Sequence, residues 1–246
     1  MRLSKFLAQT TNLTRSLANK AIRTGQVRVD GSVVKDAAFK VSVETVEYDG
    51  QELKLDKESV YIALNKPAGY ICSNIDELYP SALKLLEPES YQNKVLSNSA
   101  QRAKTIPGKF KLSFAGRLDQ DTTGLVLLSN DGQWVHRITS PRKTCGKVYS
   151  LSLAEAVSDQ DIESLETGVM LKGESKPTKP CKIVRISANQ LTIELFEGRY
   201  HQVKRMFASV GNKVTKLNRD SVGSIFLEGL TEGEWRFLTE SETRSF

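Results

Sequence analysis

Apolar residues fall at helical intervals twice near the N-terminus and then begin to alternate. Leu3, Phe6 and Leu7 are spaced i, i+3, i+4, which places them on one face of a short helix. Leu17, Ala18, Ala21 and Ile22 form a second stripe, with Thr14 placed to cap its start and Gly25 to end it in the left-handed conformation. Val27 and Val29 then alternate with Gln26 and Arg28, the period of a half-buried strand. Asp30-Gly31 precedes Val33-Val34, and Asp49-Gly50 follows later; such pairs suit two-residue hairpin turns, whose central positions need positive φ. The pattern predicts a compact module of roughly sixty residues, small for a core that must stand alone.

The polar residues 54–59 read as a linker. Residues 60–64 open a new apolar strand, closed by Asn65-Lys66-Pro67. A short element ending at Gly116 and a polar loop lead into the apolar run 125–128, which fits a buried strand. Asp131-Gly132 opens a helix carrying Trp134, Val135 and Ile138. Leu191, Ile193 and Leu195 alternate with Thr192 and Glu194, and Val203, Met206, Phe207 and Val210 return to helical spacing until Gly211-Asn212. Strands interrupted by single helices define an α+β class. The division expected is a small N-terminal α/β module over residues 1–58 and a larger domain over 59–246 with a mixed, mostly antiparallel sheet. Trp235, near Leu230 and Phe237, reads as packing.

Charge adds a partner to this picture. The chain carries 35 Lys and Arg against 29 Asp and Glu, but the distribution is more telling than the net +6. Residues 1–29 hold six cations, Arg2, Lys5, Arg15, Lys20, Arg23 and Arg28, and no acid. Residues 91–111 hold five, Lys94, Arg102, Lys104, Lys109 and Lys111, again with no acid. Repeated acid-free basic stretches suit a phosphate backbone, so RNA contacts are expected from the six N-terminal cations. No apolar run is long enough to cross a bilayer, and the N-terminus lacks the apolar core and cleavage site of a secretory signal. A cytoplasmic location without a membrane partner is expected. Cys72, Cys145 and Cys181 are widely spaced with no CxxC pair, which argues against zinc and for reduced thiols without a special role.

Asp119 is the leading candidate for chemistry. It lies in Gly116-Arg117-Leu118-Asp119-Gln120-Asp121-Thr122-Thr123-Gly124, a polar loop between apolar elements, where a carboxylate can be held and still reach a ligand. Arg117, two residues away, is a cation able to keep it ionised. On local composition alone, Asp119 or Asp121 capping a turn is the stronger reading, with Thr122 and Thr123 bonding the backbone. His136 reads as structural, and His201 as structural or RNA-contacting in preference to a general base.

A resemblance changes that weighing. GRLDQDTTGLVLLSNDG, residues 116–132, resembles the motif that carries the catalytic Asp of pseudouridine synthases. LNKPAGYICS at 64–73, HRITSPRKTCGKVYSLSL at 136–153 and EGRYHQVKRMFASVGNKV at 197–214 agree in order and spacing with the branch acting on ribosomal RNA. The N-terminal RLSKFLA, RSLANKAI and GQVRVDG resemble an S4-type RNA-binding domain. Four ordered motifs over nearly the whole chain are far more specific than any one. The resemblance implies an enzyme that converts one uridine of ribosomal RNA to pseudouridine without a cofactor or metal. The pattern is most similar to members acting on uridine 516 of small-subunit 16S RNA, and a monomer working on an assembly intermediate is expected. Position by position it implies Asp119 as nucleophile, Tyr149 as the ring stacking on the target base, and Lys204 as the cation pairing with the carboxylate. Arg117 and Lys147 are implied as further RNA contacts. Related enzymes often carry Arg at the position of Lys204, so a single-point ion pair stands in place of a bidentate one. Residues 91–111 look longer than the usual connection and are expected to be a disordered insertion. Two alternatives stay open, the same chemistry on 23S RNA and a non-catalytic ribosome-assembly factor. The intact set Asp119, Tyr149 and Lys204 argues against the second.

Overall fold

Small side chains let the first two helices approach closely. Helix α1 (Leu3–Thr10) buries Leu3, Phe6 and Leu7, and α2 (Arg15–Arg23) buries Ala18, Ala21 and Ile22 against the same core. Thr14 caps α2 by accepting from the Leu17 amide, and Gly25 follows it at φ +79°. Leu17 departs from the predicted stripe and is 49% exposed. The packed face of α2 centres on its alanines, which leaves Leu17 at the rim. Strands β1 (Val27–Val29), β2 (Ser32–Val33), β3 (Val46–Tyr48) and β4 (Gln51–Leu53) complete an antiparallel sheet in the order β2-β1-β3-β4. Both hairpin turns have the expected positive φ, +48° and +77° at Asp30-Gly31 and +54° and +76° at Asp49-Gly50.

The computed structural model describes residues 1–11, 13–54, 59–86, 112–140, 145–227 and 229–246. Contacts divide the chain into two compact units, Met1–Glu58 and Ser59–Phe246. Most of the expected linker and the whole basic stretch 91–111 lie outside the described residues.

The second unit contains β5 (Tyr61–Lys66), a 3-10 turn (Ala82–Leu86), β6 (Ser113–Phe114), β7 (Thr123–Ser129), α3 (Gly132–Thr139) and β8 (Lys147–Leu153). There follow α4 (Asp159–Thr167), β9 (Lys182–Arg185), β10 (Gln190–Leu195), α5 (Gln202–Ser209), β11 (Val214–Val222), β12 (Ile225–Phe226), β13 (Trp235–Phe237) and α6 (Glu240–Arg244). The main path of the sheet is β13-β5-β7-β11-β8-β10-β9, with β6 on β7 and β12 on β11. Among the strands of the described residues every pairing is antiparallel except β7 with β11, so the sheet is mixed and mostly antiparallel as the patterning predicts.

Both faces of β7 are dry, which explains its unbroken apolar run. Val126 and Leu128 join the core that includes Ile62, Ile193, Met206 and Phe207. Leu125 and Leu127 face the other way, into a cluster with Trp134 and Ile138 of α3. Asp131 caps α3 by accepting from the amides of Gln133 and Trp134, while His136, expected to be structural, is exposed on that helix. Trp235 is buried beside Phe237, with ring centroids 5.3 Å apart, as packing requires. The strand at β5 runs further than its apolar residues suggest, through Asn65 to a fully buried Lys66.

The parallel junction is the tightest point of the sheet. Gly124 of β7 is paired with Arg219 of β11 and has φ +107°. A Cβ there would stand 2.3 Å from the Arg219 carbonyl oxygen and 2.5 Å from its nitrogen. Only glycine tolerates both the backbone angle and the approach. Gly124→Ala is therefore expected to lower stability by about 2–4 kcal/mol, from strain and overpacking together. Urea unfolding checks this, and a midpoint equal to that of the parent chain contradicts the close approach.

Candidate active site

The loop between β6 and β7 carries Asp119, and two buried cations hold it from beneath. Lys66 Nζ donates to the carbonyls of Pro67 and Tyr70, both at 2.9 Å, and to Gln120 at 3.4 Å. Burial pushes the Lys66 pKa down, against the opposing pull of Cys72, Asp121 and Asp119. Arg219 is 1% exposed; its Nε donates to the Leu125 carbonyl at 2.7 Å and a terminal nitrogen to that of Arg117 at 3.3 Å. The Leu118 amide donates to Cys72 Sγ at 3.4 Å, and the Gly69 amide to the Gln120 carbonyl at 3.0 Å. A polar loop thereby acquires the rigidity of the sheet.

The carboxylate on this loop is met by the start of α5. Lys204 Nζ lies 3.1 Å from Asp119 Oδ2 and 2.5 Å from Asp121 Oδ1, and His201 Nε2 lies 3.3 Å from Asp119 Oδ1. His201 adopts the left-handed conformation at φ +47°, and its ring stacks on Tyr200 with centroids 3.8 Å apart. The buried Gln202 side chain braces the turn, accepting from the Arg199 amide at 2.9 Å and donating to Glu197 at 2.8 Å. For Lys204, burial acts to lower the pKa, but hydrogen bonds to Asp121 and Asp119 outweigh it and the net direction is upward. For Asp121, burial acts to raise the pKa, and Lys204 outweighs it so that the carboxyl sits below its ordinary range.

Tyr149 completes the site from β8, where it is paired with Ile193 of β10 and Arg219 of β11. It is 8% exposed, and the Arg219 guanidinium carbon lies 6.0 Å from its ring centroid. Asp119, Tyr149, Lys204, Arg117 and Lys147 all line one cleft of about 840 Å³, inside the range of about 300–1,000 Å³ common for ligand pockets. The structure thus brings together the three residues singled out for chemistry and two of those singled out for RNA.

Several expectations change. Arg117 is exposed, and among the described residues the ion partners of Asp119 are Lys204, as expected, and His201 in place of Arg117. The capping alternative fails for Asp119, whose carboxylate turns to α5, and Thr123 donates to Asn218 at 2.7 Å instead of bonding the backbone. His201, read as structural or RNA-contacting, lies against the carboxylate itself. Lys147 is half-buried, with Nζ on the Cys145 carbonyl at 3.0 Å and its pKa pushed down by burial. Arg2, Arg15, Lys20, Arg23 and Arg28 are exposed on the first unit, and Lys5 is half-buried there. All three cysteines are free and buried. Cys72 serves as an acceptor for the Asp119-bearing loop, whereas the Cys181 thiol is pushed up to about 12 by burial and by Glu166, which makes it a poor nucleophile.

Lys66 and Arg219 were not visible as site residues. Lys66 ends a strand and looks like a solvent-facing breaker before Pro67, and Arg219 takes a polar place on β11. Only the pairing of β11 with β7 sets Arg219 under the loop. Among the described residues no group of three His, Cys, Asp or Glu is arranged to hold a metal, and no helix is long and apolar enough to cross a membrane.

An Asp-bearing loop that shares a cleft with a lysine and a tyrosine, in a chain that also carries a small basic module, is the arrangement expected of an RNA-modifying enzyme. Residues 60–209 match the RNA pseudouridylate synthase family and residues 1–46 match the S4 domain. Proteins named ribosomal small subunit pseudouridine synthase A from Salmonella typhimurium and Escherichia coli K12 are each 45% identical over 247 aligned residues, covering 100% of this chain and 99% of theirs. The Haemophilus influenzae protein of the same name is 43% identical, covering 98% of this chain and 97% of its own. A crystal structure of a pseudouridylate synthase superposes with a TM-score of 0.69 at 41% identity, covering 100% of this chain and 99% of that one. The chain belongs to the RNA pseudouridylate synthase family and is an RNA pseudouridine synthase carrying an S4 RNA-binding domain.

The lysine bridge predicts a pH signature. The folded pKa of Asp121 is lowered, so its contribution to stability is present above the ordinary value of 3.8 and is lost as pH falls through the folded value. The folded pKa of Lys204 is raised, so its contribution is present below 10.5 and is lost as pH rises through the folded value. Asp121 is 63% exposed, so screening limits its share to no more than about 1 kcal/mol. Asp121→Asn should therefore be slightly less stable than the parent near pH 6, with the gap closing below pH 3.8. Paired unfolding curves across that range test it; a gap that widens on acidification contradicts the assignment.

Proposed function

We propose that the chain converts one uridine of small-subunit 16S ribosomal RNA, uridine 516, to pseudouridine, with Asp119 as nucleophile. The observation that carries this reading is the ion-paired Asp119 carboxylate sharing a nucleotide-sized cleft with Tyr149 and Lys204. The printed names of the full-length relatives support the small-subunit substrate.

The reaction breaks the N1–C1′ bond, turns the base and joins C5 to C1′. The proton lost from C5 is balanced by one gained at N1, so product and substrate are isomers. No electrons are exchanged and no group is added, which is why no cofactor is called for. Extruding the uridine from its stack costs a few kcal/mol. Stacking on Tyr149 offsets about 1–3 kcal/mol of that. Lys204, kept charged by its carboxylate partners, pairs with Asp119 and aims it for attack as a carboxylate nucleophile. Tyr149 is also placed to relay the proton leaving C5. Arg117 and Lys147 at the cleft meet the phosphates beside the target.

The exposed N-terminal cations Arg2, Arg15, Lys20, Arg23 and Arg28, with Lys5, dock the first unit on folded RNA. The substrate is an assembly intermediate of the small subunit, met in the cytoplasm by a monomer.

Asp119→Asn should bind RNA normally and form no pseudouridine. Site-resolved mapping of both ribosomal RNAs, bare and partly assembled, checks this. Unchanged modification by the variant refutes the nucleophile, and product found only in large-subunit RNA refutes the substrate. Neutralising Lys5, Arg15 and Arg23 together should reduce the slope of log affinity against log salt by about 2–3. An unaltered slope removes the first unit from the binding surface.

A further inference from the structure

A second aromatic ring stands in the same cleft and has no part in the chemistry described so far. Tyr200 is 75% exposed, although it lines the cleft that holds Asp119. A single exposed aromatic on a mobile surface would need no explanation. This one is fixed. Its ring lies against the His201 imidazole at 3.8 Å and 20°, and that imidazole contacts Asp119 at 3.3 Å. Its carbonyl accepts from Arg205 at 3.0 Å, and the preceding Arg199 donates to the carbonyls of Lys176 and Pro177 at 2.8 and 2.6 Å. Arg205 is itself paired with Glu174 at 3.0 Å. The whole turn is tied to the strand-free segment before β9, so the ring is presented in one orientation before any ligand arrives.

We propose that Tyr200, backed by His201, is a second stacking shelf that takes an unpaired nucleobase immediately next to the target uridine. The inference rests on the reading of the cleft as the uridine site. Extruding one base leaves its neighbour without a stacking partner on that side. An exposed aromatic face separated from the reactive carboxylate by a single imidazole is the surface that compensates, and it does so for any base because every base has a π-face. Tyr149 and Tyr200 then have separate duties: the 8% exposed ring receives the target, and the 75% exposed ring receives its neighbour. His201 links the second shelf to the reactive carboxylate, because the ring that backs Tyr200 also touches Asp119. A base seated on Tyr200 thereby steadies one of the two groups that aim Asp119.

The test uses the full chain and a small-subunit RNA fragment spanning the modified uridine. Abasic nucleotides replace the 5′ neighbour, the 3′ neighbour, or neither. The parent chain should lose affinity by about 10-fold on one of the two abasic fragments. Tyr200→Ala should bind the intact fragment about 10-fold more weakly and lose nothing further on that abasic RNA. Tyr200→Phe keeps the ring and should restore both the affinity and the sensitivity to the missing base. A role for Tyr200 confined to supporting His201 predicts additive losses instead, and additive losses overturn the proposal, as does unchanged affinity in Tyr200→Ala. Pseudouridine formation by the parent chain on the intact fragment is the control. If it forms and the cycle is additive, only the second shelf falls; if it forms on no ribosomal RNA, the uridine site falls and the shelf with it.

Discussion

The contact between Lys204 and Asp119 is the one on which the site depends. It joins the first turn of α5 to the loop between β6 and β7, two segments far apart in the chain that otherwise have no reason to face each other. Burial alone would push a lysine there toward losing its proton. Hydrogen bonds to Asp121 and Asp119 outweigh that pull and keep Lys204 cationic. A lysine gives this pair less geometric definition than an arginine fork would. The His201 contact on the other carboxylate oxygen supplies the second point of restraint.

Below this surface pair lies a layer of buried cations with a different task. Lys66 and Arg219 donate to backbone carbonyls of the segments around the site, and each extends one longer bond to the loop that displays Asp119. Carbonyl oxygens are good acceptors for such cations, and each bond made inside the protein replaces one lost from water. The consequence is a loop with the polarity of a surface segment and the fixity of a strand. Arg219 also lies near the Tyr149 ring, so one side chain supports both the carboxylate loop and the aromatic shelf. Gly124 makes this possible by letting β11 approach β7 so closely that Arg219 reaches under the loop.

Binding and chemistry are assigned to different units of the chain. The first unit is a small core of apolar residues with exposed cations on its surface, suited to phosphates whatever their sequence. The second provides the cleft lined by Asp119, Tyr149 and Lys204.

Periodicity and turn chemistry alone determined much of this protein. The two N-terminal helices, the Asp-Gly hairpins, the dry strand around residues 125–128, the capped helix after Asp131 and the final α5 stripe were all legible, because each depends on neighbours within a few positions. Asp119, Tyr149 and Lys204 could be named only through ordered motifs, since nothing in their local composition separates a catalytic carboxylate from a turn cap. Tertiary structure alone decided that His201 joins Lys204 as a partner of Asp119 while Arg117 looks outward. It also decided that Lys66 is interior and that Leu17 is not. The physical reason is common to all of these: a charge or an apolar side chain acquires its environment from residues brought close by sheet pairing, and the parallel contact of β7 with β11 leaves no trace in the period of either strand.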